Sequence, residues 1–425
     1  MIMSYIPAHL LESITDAESA IKAVNELTNI MTSEQKASPT GIDLATLYAE
    51  TASAKAASTT IDSSIITINA STIRSLEEFA AQANQSIESA LLSGGINTAR
   101  TLSDTITFMM SATDISIQID PDVLATNVDK VRVETPSYTI TFKLADIEPD
   151  LTHLLTFTAQ DMGTGYAAGS NSSKVTVKVS LPNGRTTNSI TVSLPSDNGD
   201  TTYQAVVSTD GQATASKYNP ATTTMDGKIN TSGAYTVKSN EKDFTDIANK
   251  SAEMQTAIRY LSSKGIINGT TATTFSPDGS INRAEIATLL VKALGKLDST
   301  ATTSFSDVSK SNWYYTAAAS SQRHGIINGY EDNTFRGTTN ISKVQIVAVS
   351  SRVLTKEMSY KAPNNPSTYL TKYKDSIDSW AQPEVALATR ENLIVYRTDG
   401  TFSGDENMTR GDAAIIIYRL FQRIW

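Results

Sequence analysis

The stretch "GIINGTTATTF" (residues 265–275) is followed sixty residues later by "GIINGYEDNTF" (325–335), and the two share seven of eleven positions. A fainter third copy, "NLIVYRTDGTF", occupies residues 392–402. The Phe that ends each copy stands eight residues before a basic residue, which is Arg283, Lys343 or Arg410. Self-similarity at a nearly fixed period indicates repeated units that share a core. The repeat therefore decides the fold of the C-terminal part of the chain.

The pattern predicts a helix–loop–helix structure for each unit. The first Gly of the copy follows a helical pattern, where a left-handed residue closes the last turn, and the second Gly belongs to an Asn-Gly turn. The second helix begins at a pair with capping-box spacing, with Asp as a shorter substitute in the third unit. These pairs are Asn282 and Glu285, Ser342 and Gln345, and Thr409 and Asp412. The glycines predicted to be structural are Gly265, Gly269, Gly325 and Gly329.

An aspartate opens every unit, shortly before the first helix. These residues are Asp246, Asp307 and Asp375. Since Asp is a favoured helix N-cap, we predict a structural capping role for all three.

The basic residue at the start of each second helix is not explained by capping. A cation at this position opposes the helix dipole, which favours anions there by about 0.3–1 kcal/mol. Beside free helix-start N–H groups, a cation makes a site for a carboxylate or phosphate. Anion binding by Arg283, Lys343 and Arg410 is therefore our first hypothesis. Solvent-facing decoration is the alternative.

The order F-x-D, W, GII-x-G, TF and T-R-A-E, written three times, resembles the S-layer homology (SLH) domain, here as a triplet over about residues 243–425. The resemblance implies a pseudo-threefold helical assembly with grooves between units. It also implies non-covalent attachment to a secondary cell-wall polysaccharide, often through the carboxylate of a pyruvylated sugar. The motif's Arg corresponds to Arg283 and Arg410, and with Lys343, Glu285 and Asp412 these form the predicted glycan-binding set.

The units depart from the motif in different places. Unit one has Ala252-Glu253 where the others have Trp, unit two has Lys343 instead of Arg, and unit three lacks both glycines. Lysine keeps the charge but loses the planar fork of arginine. We therefore expect unequal grooves, one or two of them functional, with that of unit two the most in doubt.

Two roles are possible for Trp313 and Trp380. They could stack on a sugar face, which places them in the glycan-binding set. They could equally anchor the core, with the indole N–H bonded at a helix start.

The region before the repeat has two parts that differ in the spacing of their apolar residues. Residues 8–110 show a helical stripe, and the last helix ends at Gly94-Gly95. From about residue 114 the period becomes two, with turn signals between about eight strands. The fold class predicted is multidomain α+β: a helical region (1–112), a central antiparallel Ig-like β-sandwich (113–242) and an all-α SLH triplet. The three SLH repeats are placed at residues 243–300, 301–360 and 361–425.

Composition restricts the possible chemistry. The chain has 425 residues and no cysteine, and its charge is −12 over residues 1–243 but +3 over residues 244–425. No stretch has the ~18–20 apolar residues of a membrane span, and no strongly basic stripe indicates nucleic-acid binding. The three histidines, His9, His153 and His324, form no metal-spaced cluster, and no nucleophile or nucleotide-binding motif is present. We therefore predict no catalysis, metal or cofactor.

The sequence favours a non-catalytic cell-surface protein held by three SLH repeats to an anionic, pyruvylated wall polysaccharide. Its predicted location is extracellular, at the cell wall, and any export signal is expected outside this chain because residues 1–13 lack its features. Self-association in a surface lattice is a further partner hypothesis. The alternative is the anchor part of a larger surface enzyme or adhesin whose effector lies upstream or in residues 1–240.

Overall fold

The computed structural model describes residues 8–98, 101–147, 154–161, 175–196 and 200–424. It divides into two compact units, Met1–Asn240 and Glu241–Trp425. The first is mixed α and β and the second is helical. None of the described helices is both long and apolar enough to cross a lipid bilayer.

Four α-helices lie in the described part of the first unit. They are α1 (Ala17–Ile30), α2 (Ser33–Ala37), α3 (Pro39–Ala56) and α4 (Ala70–Ser93). The apolar stripe of α1 is buried, and its start is capped by Asp16. The predicted end of α4 is confirmed: Gly94 is the C-cap, and Gly95 adopts a positive φ of 85°. Helices α1, α3 and α4 share a core that contains Leu27, Tyr48 and Ile87.

Thirteen strands are described in the first unit. They are β1 (Ser58–Ile61), β2 (Ile65–Ile68), β3 (Thr105–Met110), β4 (Ile115–Ile119), β5 (Lys130–Glu134), β6 (Thr139–Lys143), β7 (Leu155–Asp161), β8 (Val175–Ser180), β9 (Arg185–Pro195), β10 (Gln204–Ser208), β11 (Ser216–Asn219), β12 (Thr224–Thr231) and β13 (Gly233–Ser239). One sheet has the order β1-β3-β5-β6-β9-β12-β11, and the other has the order β10-β13-β8-β7-β4-β2. Alternate residues of both sheets, such as Val131 and Phe157, enter one apolar core. This is the layered arrangement that the period-two pattern predicts.

The sheets are mixed, which differs from the expected all-antiparallel pairing. Strands β1 and β3, β3 and β5, and β2 and β4 pair in parallel. A parallel pair needs a crossover connection, and α4 lies in the connection from β1 to β3 and in the connection from β2 to β4. Strands β1 and β2 have four residues each. An alternation of apolar and polar residues this short does not predict a strand within a region that is otherwise helical in pattern.

The boundary predicted at residue 112 does not separate two units. Three strands lie before it and pair within the two sheets, and Ile73 of α4 is buried in the same core as the sheets. The described residues before 112 and the strands that follow therefore form one compact body, because α4, β2 and β3 contribute to the same core as the later strands.

The described part of the second unit contains three pairs of α-helices and one short α-helix. The pairs are α5 (Ala252–Ser263) with α6 (Arg283–Ala293), α7 (Tyr315–Arg323) with α8 (Lys343–Met358), and α10 (Gln382–Arg390) with α11 (Arg410–Arg423), and the short helix is α9 (Ser367–Leu370). The second helix of each pair packs against the first helix of another: α6 on α7, α8 on α10, and α11 on α5. The last of these contacts closes the circle.

Three backbone hydrogen bonds form a ring at the centre of this unit. Ile281 N–H donates to the carbonyl of Met408, Met408 N–H donates to Ile341, and Ile341 N–H donates to Ile281, at 3.0–3.1 Å. All three side chains are buried. Each residue stands just before a second helix, so the pseudo-threefold arrangement follows from equivalent positions that bond in a cycle.

Candidate functional site

The opening aspartates hold the turn that follows the repeated Phe of each unit. The carboxylate of Asp246 accepts the N–H groups of Phe275 and Ser276 at 2.7–3.1 Å. Asp307 and Asp375 make the equivalent bonds in the other repeats. The residue after each Phe has a φ of 54–59°, so the carboxylate stabilises a left-handed turn.

The capping role predicted for these aspartates is therefore wrong. The first helices begin six to eight residues later, at Ala252, Tyr315 and Gln382. Burial opposes the charge of Asp246, but the N–H donors of Phe275 and Ser276 outweigh it and lower the pKa of this carboxyl.

The two pairs of glycines have separate structural roles. Gly265 and Gly325 follow their helices with φ of 67° and 60°, and Asn392 takes this position in the third repeat with φ 54°. A Cβ at Gly269 or Gly329 would lie 2.4–2.5 Å from a ring carbon of Phe244 or Phe305. The glycines thus shape the loop, as the sequence predicts, and Asn tolerates the left-handed conformation that the third repeat needs.

The first N–H groups of the second helices are not free. Arg283 N–H and Ala284 N–H donate to the carbonyls of Thr339 and Gly337, which belong to repeat 2. The equivalent groups of α8 bond to repeat 3, and those of α11 bond to repeat 1. The expectation of unsatisfied helix-start donors is wrong, because the neighbouring repeat occupies them with its own backbone.

The side chains of the helix-start cations reach toward the same neighbouring repeat as the backbone N–H groups do, and each contacts the loop of that repeat. Arg283 Nη2 donates to the carbonyl of Asn328. Lys343 Nζ donates to Val395 at 3.1 Å, and Arg410 Nη2 donates to Asn268 at 3.0 Å. We call these contact regions junction 1 (Arg410 at the loop of repeat 1), junction 2 (Arg283 at that of repeat 2) and junction 3 (Lys343 at that of repeat 3).

Each cation also lies over an aromatic ring of the loop it contacts. The cation centres lie 4.8–5.5 Å from the ring centroids of Phe275, Phe335 and Phe402. Arg283 and Lys343 are only 8% and 5% exposed. Solvent-facing decoration is therefore excluded for these two, and the eight-residue spacing repeats because equivalent Phe and cation positions meet across each junction.

The capping-box residues differ among the three helices. Glu285 accepts the N–H of Asn282 at 2.9 Å and also pairs with Arg410 at 2.8 Å. Gln345 makes the same capping contact in the second repeat. In the third helix Thr409 accepts the N–H of Asp412, and the described structure contains no return bond from the shorter Asp side chain.

The tryptophans are on the surface. Trp313 and Trp380 are 66% and 55% exposed, so the core-anchor alternative is wrong for both. The residue after each Trp turns inward instead, since Tyr314 and Ala381 are buried. Exposed indoles leave a face that a sugar ring can cover. In the first repeat this position is Glu253, which forms a bidentate ion pair with Arg419.

Two features near the helix-start cations were not among the predicted site residues. Tyr330 stacks under Arg283 and Arg336, with centroid distances of 5.0 and 4.0 Å. Each second helix also carries another cation nine residues after the first, at Lys292, Arg352 and Arg419. This repeated spacing is the signal that could have identified the second set.

The histidines show no cluster in the described structure. His9 and His324 lie in different units, and His153 falls outside the described residues. Burial, followed by the charge of Lys296, lowers the pKa of His324 to about 4. Within the described ranges no group of three or more metal-ligating side chains occurs.

Comparison with known families identifies the repeat. The family model of the S-layer homology domain matches residues 243–287, 304–345 and 372–414. This chain therefore carries three S-layer homology domains, and the expected repeat is confirmed. The matched segments contain all three helix-start cations and all three opening aspartates.

The similar proteins are larger and differ in their described roles. An amylopullulanase of Thermoanaerobacterium thermosulfurigenes is 30% identical over 48% of this chain and 12% of its own length. A cellulosome-anchoring protein of Acetivibrio thermocellus is 26% identical over 35% of this chain and 34% of its own. An S-layer protein of Bacillus thuringiensis subsp. finitimus is 27% identical over 38% and 19%. The chain thus spans about a third or less of these relatives, and the enzymes match only through the S-layer homology region.

Proposed function

We propose that the three S-layer homology domains hold this chain at the bacterial cell surface by binding an anionic secondary cell-wall polysaccharide. The observation that carries the proposal is the closed ring of three matched domains, each with a buried or half-buried cation at its junction. The similarity to a cellulosome-anchoring protein and an S-layer protein supports the same role.

The proposed ligand contacts combine charge and stacking. Arg283, Lys343 and Arg410 supply positive potential at the junctions, and Trp313 and Trp380 offer exposed aromatic faces. A pyruvylated sugar would fit both features, since it joins a carboxylate to an apolar ring face. Glu285 and Asp412, placed in the glycan-binding set by the sequence, we now assign to positioning: one orients Arg410, and the other lies within electrostatic reach of Lys343.

We assign the domains by the same repeat, at residues 243–300, 301–360 and 361–425. Residues 1–240 form a separate compact unit, to which we assign a non-catalytic role in display or in self-association at the surface. Its two-sheet architecture by itself implies no chemistry.

The test is co-sedimentation of the full 425-residue chain with purified wall sacculi. We expect the protein to pellet with intact sacculi and to remain soluble with sacculi from which the secondary polysaccharide has been extracted. Addition of the extracted polysaccharide should release the bound protein. Equal pelleting with intact and extracted sacculi would show that the polysaccharide is not the ligand.

A second candidate is that these residues anchor a larger enzyme or adhesin. It is favoured by the small share of each relative that this chain spans, since several of those relatives are named as enzymes. Assay of the full chain for hydrolysis of α-glucan, β-glucan and xylan tests whether residues 1–240 carry the effector activity. Turnover above that of a buffer control would contradict a purely structural role.

A further inference from the structure

The three junctions have the same plan but different charges. Junctions 2 and 3 each combine two cations: one from the start of another repeat's second helix, and one nine residues into the second helix of the loop's own repeat. At junction 3 these are Lys343, bonded to Val395, and Arg419, bonded to the carbonyls of Asn392 and Ile394. What distinguishes the junctions is the set of carboxylates that faces these cations.

At junction 3 the two cations face carboxylates of the protein itself. Arg419 is held by Glu253 through two bonds of 2.7 and 2.9 Å. Lys343 interacts electrostatically with Glu406, Asp412 and Asp375, which favour its charge, and with Arg397, which opposes it. An incoming anion would compete with these carboxylates.

Junction 1 also contains an internal counter-charge. Arg410 Nη1 pairs with Glu285 at 2.8 Å, and its other nitrogens donate to the carbonyls of Phe275 and Asn268. The guanidinium is 13% exposed as a side chain and has all three of its nitrogens engaged. Three of its five N–H donors are therefore used within the protein.

Junction 2 lacks such a carboxylate. The helix position that holds Glu285 in the first repeat holds Gln345 in the second, so it offers no negative charge to Arg283. Arg283 Nε is buried without a hydrogen-bond partner among the described residues. Arg352 is partly exposed, and no hydrogen bond or ion pair of its guanidinium occurs in the described structure.

Charges of the same sign gather around Arg283. Burial lowers the pKa of this guanidinium, and the neighbouring Arg352 and Arg336 lower it further, while Tyr330 and Asp307 oppose them. Asp307 already accepts two backbone N–H groups, and Arg336 is paired with Asp332 at 2.8 Å. Asp307 thus stands to Arg283 as Asp375 stands to Lys343. The two junctions differ at the third residue of the neighbouring second helix, which is Asp412 at junction 3 and the uncharged Gln345 at junction 2.

We propose that junction 2 is the principal oxyanion site of this chain, with Arg352 as the direct ligand and Arg283 behind it as the source of positive potential. The inference rests on the proposed function and adds to it the choice of junction and a contact residue outside the repeated motif. The group bound is a carboxylate or phosphate of the wall polymer, because a guanidinium with free donors makes paired bonds to either. The sequence left the groove of unit two the most in doubt because of Lys343, and that lysine lies at junction 3, not at junction 2.

Two single substitutions test the site without removing a structural contact. Gln345→Glu adds the carboxylate that Glu285 provides at junction 1, and it keeps the capping box because Glu285 forms the same one. Arg352→Gln removes the proposed ligand, whose side chain makes no bond within the described structure. The matched control is Lys292→Gln, which removes the equivalent cation of the first repeat. Thermal melting of each full-length variant checks that the fold is retained.

The probes are inorganic phosphate, a pyruvylated methyl glycoside and the unpyruvylated glycoside, each titrated against the full chain by calorimetry. We expect Gln345→Glu and Arg352→Gln each to weaken binding of an anionic probe at least tenfold, and Lys292→Gln to change it less than twofold. Preference for the pyruvylated glycoside over phosphate identifies a carboxylate, and the reverse identifies a phosphate. The proposal is overturned if both junction 2 variants bind the anionic probes as well as the wild type does, or if Lys292→Gln loses as much binding as they do. It is also overturned if the wild type binds the neutral glycoside equally well, or binds neither anionic probe.

The reciprocal variant Glu285→Gln gives an independent result. It removes the counter-charge of Arg410 and should increase the binding of anionic probes at junction 1, whereas it should not weaken binding at junction 2. Pelleting with sacculi is measured in parallel. A wild-type chain that binds the soluble probe through Arg352 but does not pellet would reject wall anchoring while retaining the oxyanion site.

Discussion

At the residue scale, the most informative side chains are the three opening aspartates. Asp246 and Asp375 have lowered carboxyl pKa values, because backbone N–H donors outweigh the opposing effect of burial. The folded state therefore binds fewer protons at these carboxylates than the unfolded state does. Their contribution to stability is complete above the unfolded pKa, near 4, and is lost as the pH falls through the lower folded values.

Asp246→Asn should destabilise the first repeat, because the amide has one acceptor oxygen where the carboxylate accepts two N–H groups. We expect a loss of about 1–2 kcal/mol at pH 7. Urea unfolding at pH 7 and pH 3 measures it, and the gap between variant and wild type should narrow at pH 3. A gap that stays constant would assign the loss to packing instead of charge.

His324 provides a second pH-dependent contribution. Its folded pKa, about 4, lies below the ordinary value of 6.5, because burial and Lys296 disfavour the charged ring. Between these values the unfolded state takes up a proton that the folded state does not, so wild-type stability falls as the pH drops from 6.5 to 4. His324→Gln should lose less stability over this interval, as measured by urea midpoints at pH 7 and pH 4.5. Identical pH profiles would exclude His324 as the cause.

At the element scale, the loop between the two helices of each repeat is set by close packing. Gly329 lies against Phe305, and a Cβ at this glycine would sit 2.4 Å from Cε1 of that buried ring. The third repeat has Tyr396 at this position, where its ring stacks on Tyr373 with centroids 6.2 Å apart. The same helix–loop–helix element is thus built around two different aromatic arrangements.

Gly329→Ala should cost about 1–3 kcal/mol through overpacking against Phe305. Gly279→Ala is the matched control, because a Cβ there would meet its nearest atom at 3.3 Å and Gly279 has no positive φ. Thermal melting should separate the two variants by several degrees. Equal melting temperatures would mean that the loop of repeat 2 shifts to accept a side chain.

At the scale of the C-terminal unit, the three repeats form a closed cycle. The ring of hydrogen bonds through Ile281, Ile341 and Met408 needs all three repeats, and α11 packs on α5 although they are about 150 residues apart. Each repeat therefore buries its apolar face against the others. Stability should belong to the cycle as a whole.

Removal of the third repeat, by ending the chain at residue 360, should loosen the first repeat as well as the second. The buried side chains of α5, including Ile258 and Leu261, would lose the partner helix α11. Hydrogen exchange of the α5 amides should accelerate by at least tenfold in the shortened chain. Amides of α1 in the N-terminal unit serve as the internal control and should exchange at an unchanged rate. Unchanged protection of α5 would show that the repeats are stable without closure.

The sequence by itself determined the number of repeats, their helix–loop–helix form and the position of the cations. These features depend on spacing within one unit, such as the eight residues between Phe275 and Arg283. It also predicted the capping boxes of α6 and α8 and the end of α4 at Gly94-Gly95, because caps and left-handed turns are local.

Only the tertiary structure decided which groups meet. Arg410 contacts Glu285 and Asn268, which lie 125 and 142 positions earlier, so no local pattern could pair them. For the same reason, the sequence could not predict the exposure of Trp313 or the parallel pairing of β1 with β3. Spacing along the chain fixes what each repeat contains, whereas the closure of the repeats decides which cation meets which carboxylate, as Arg410 meets Glu285.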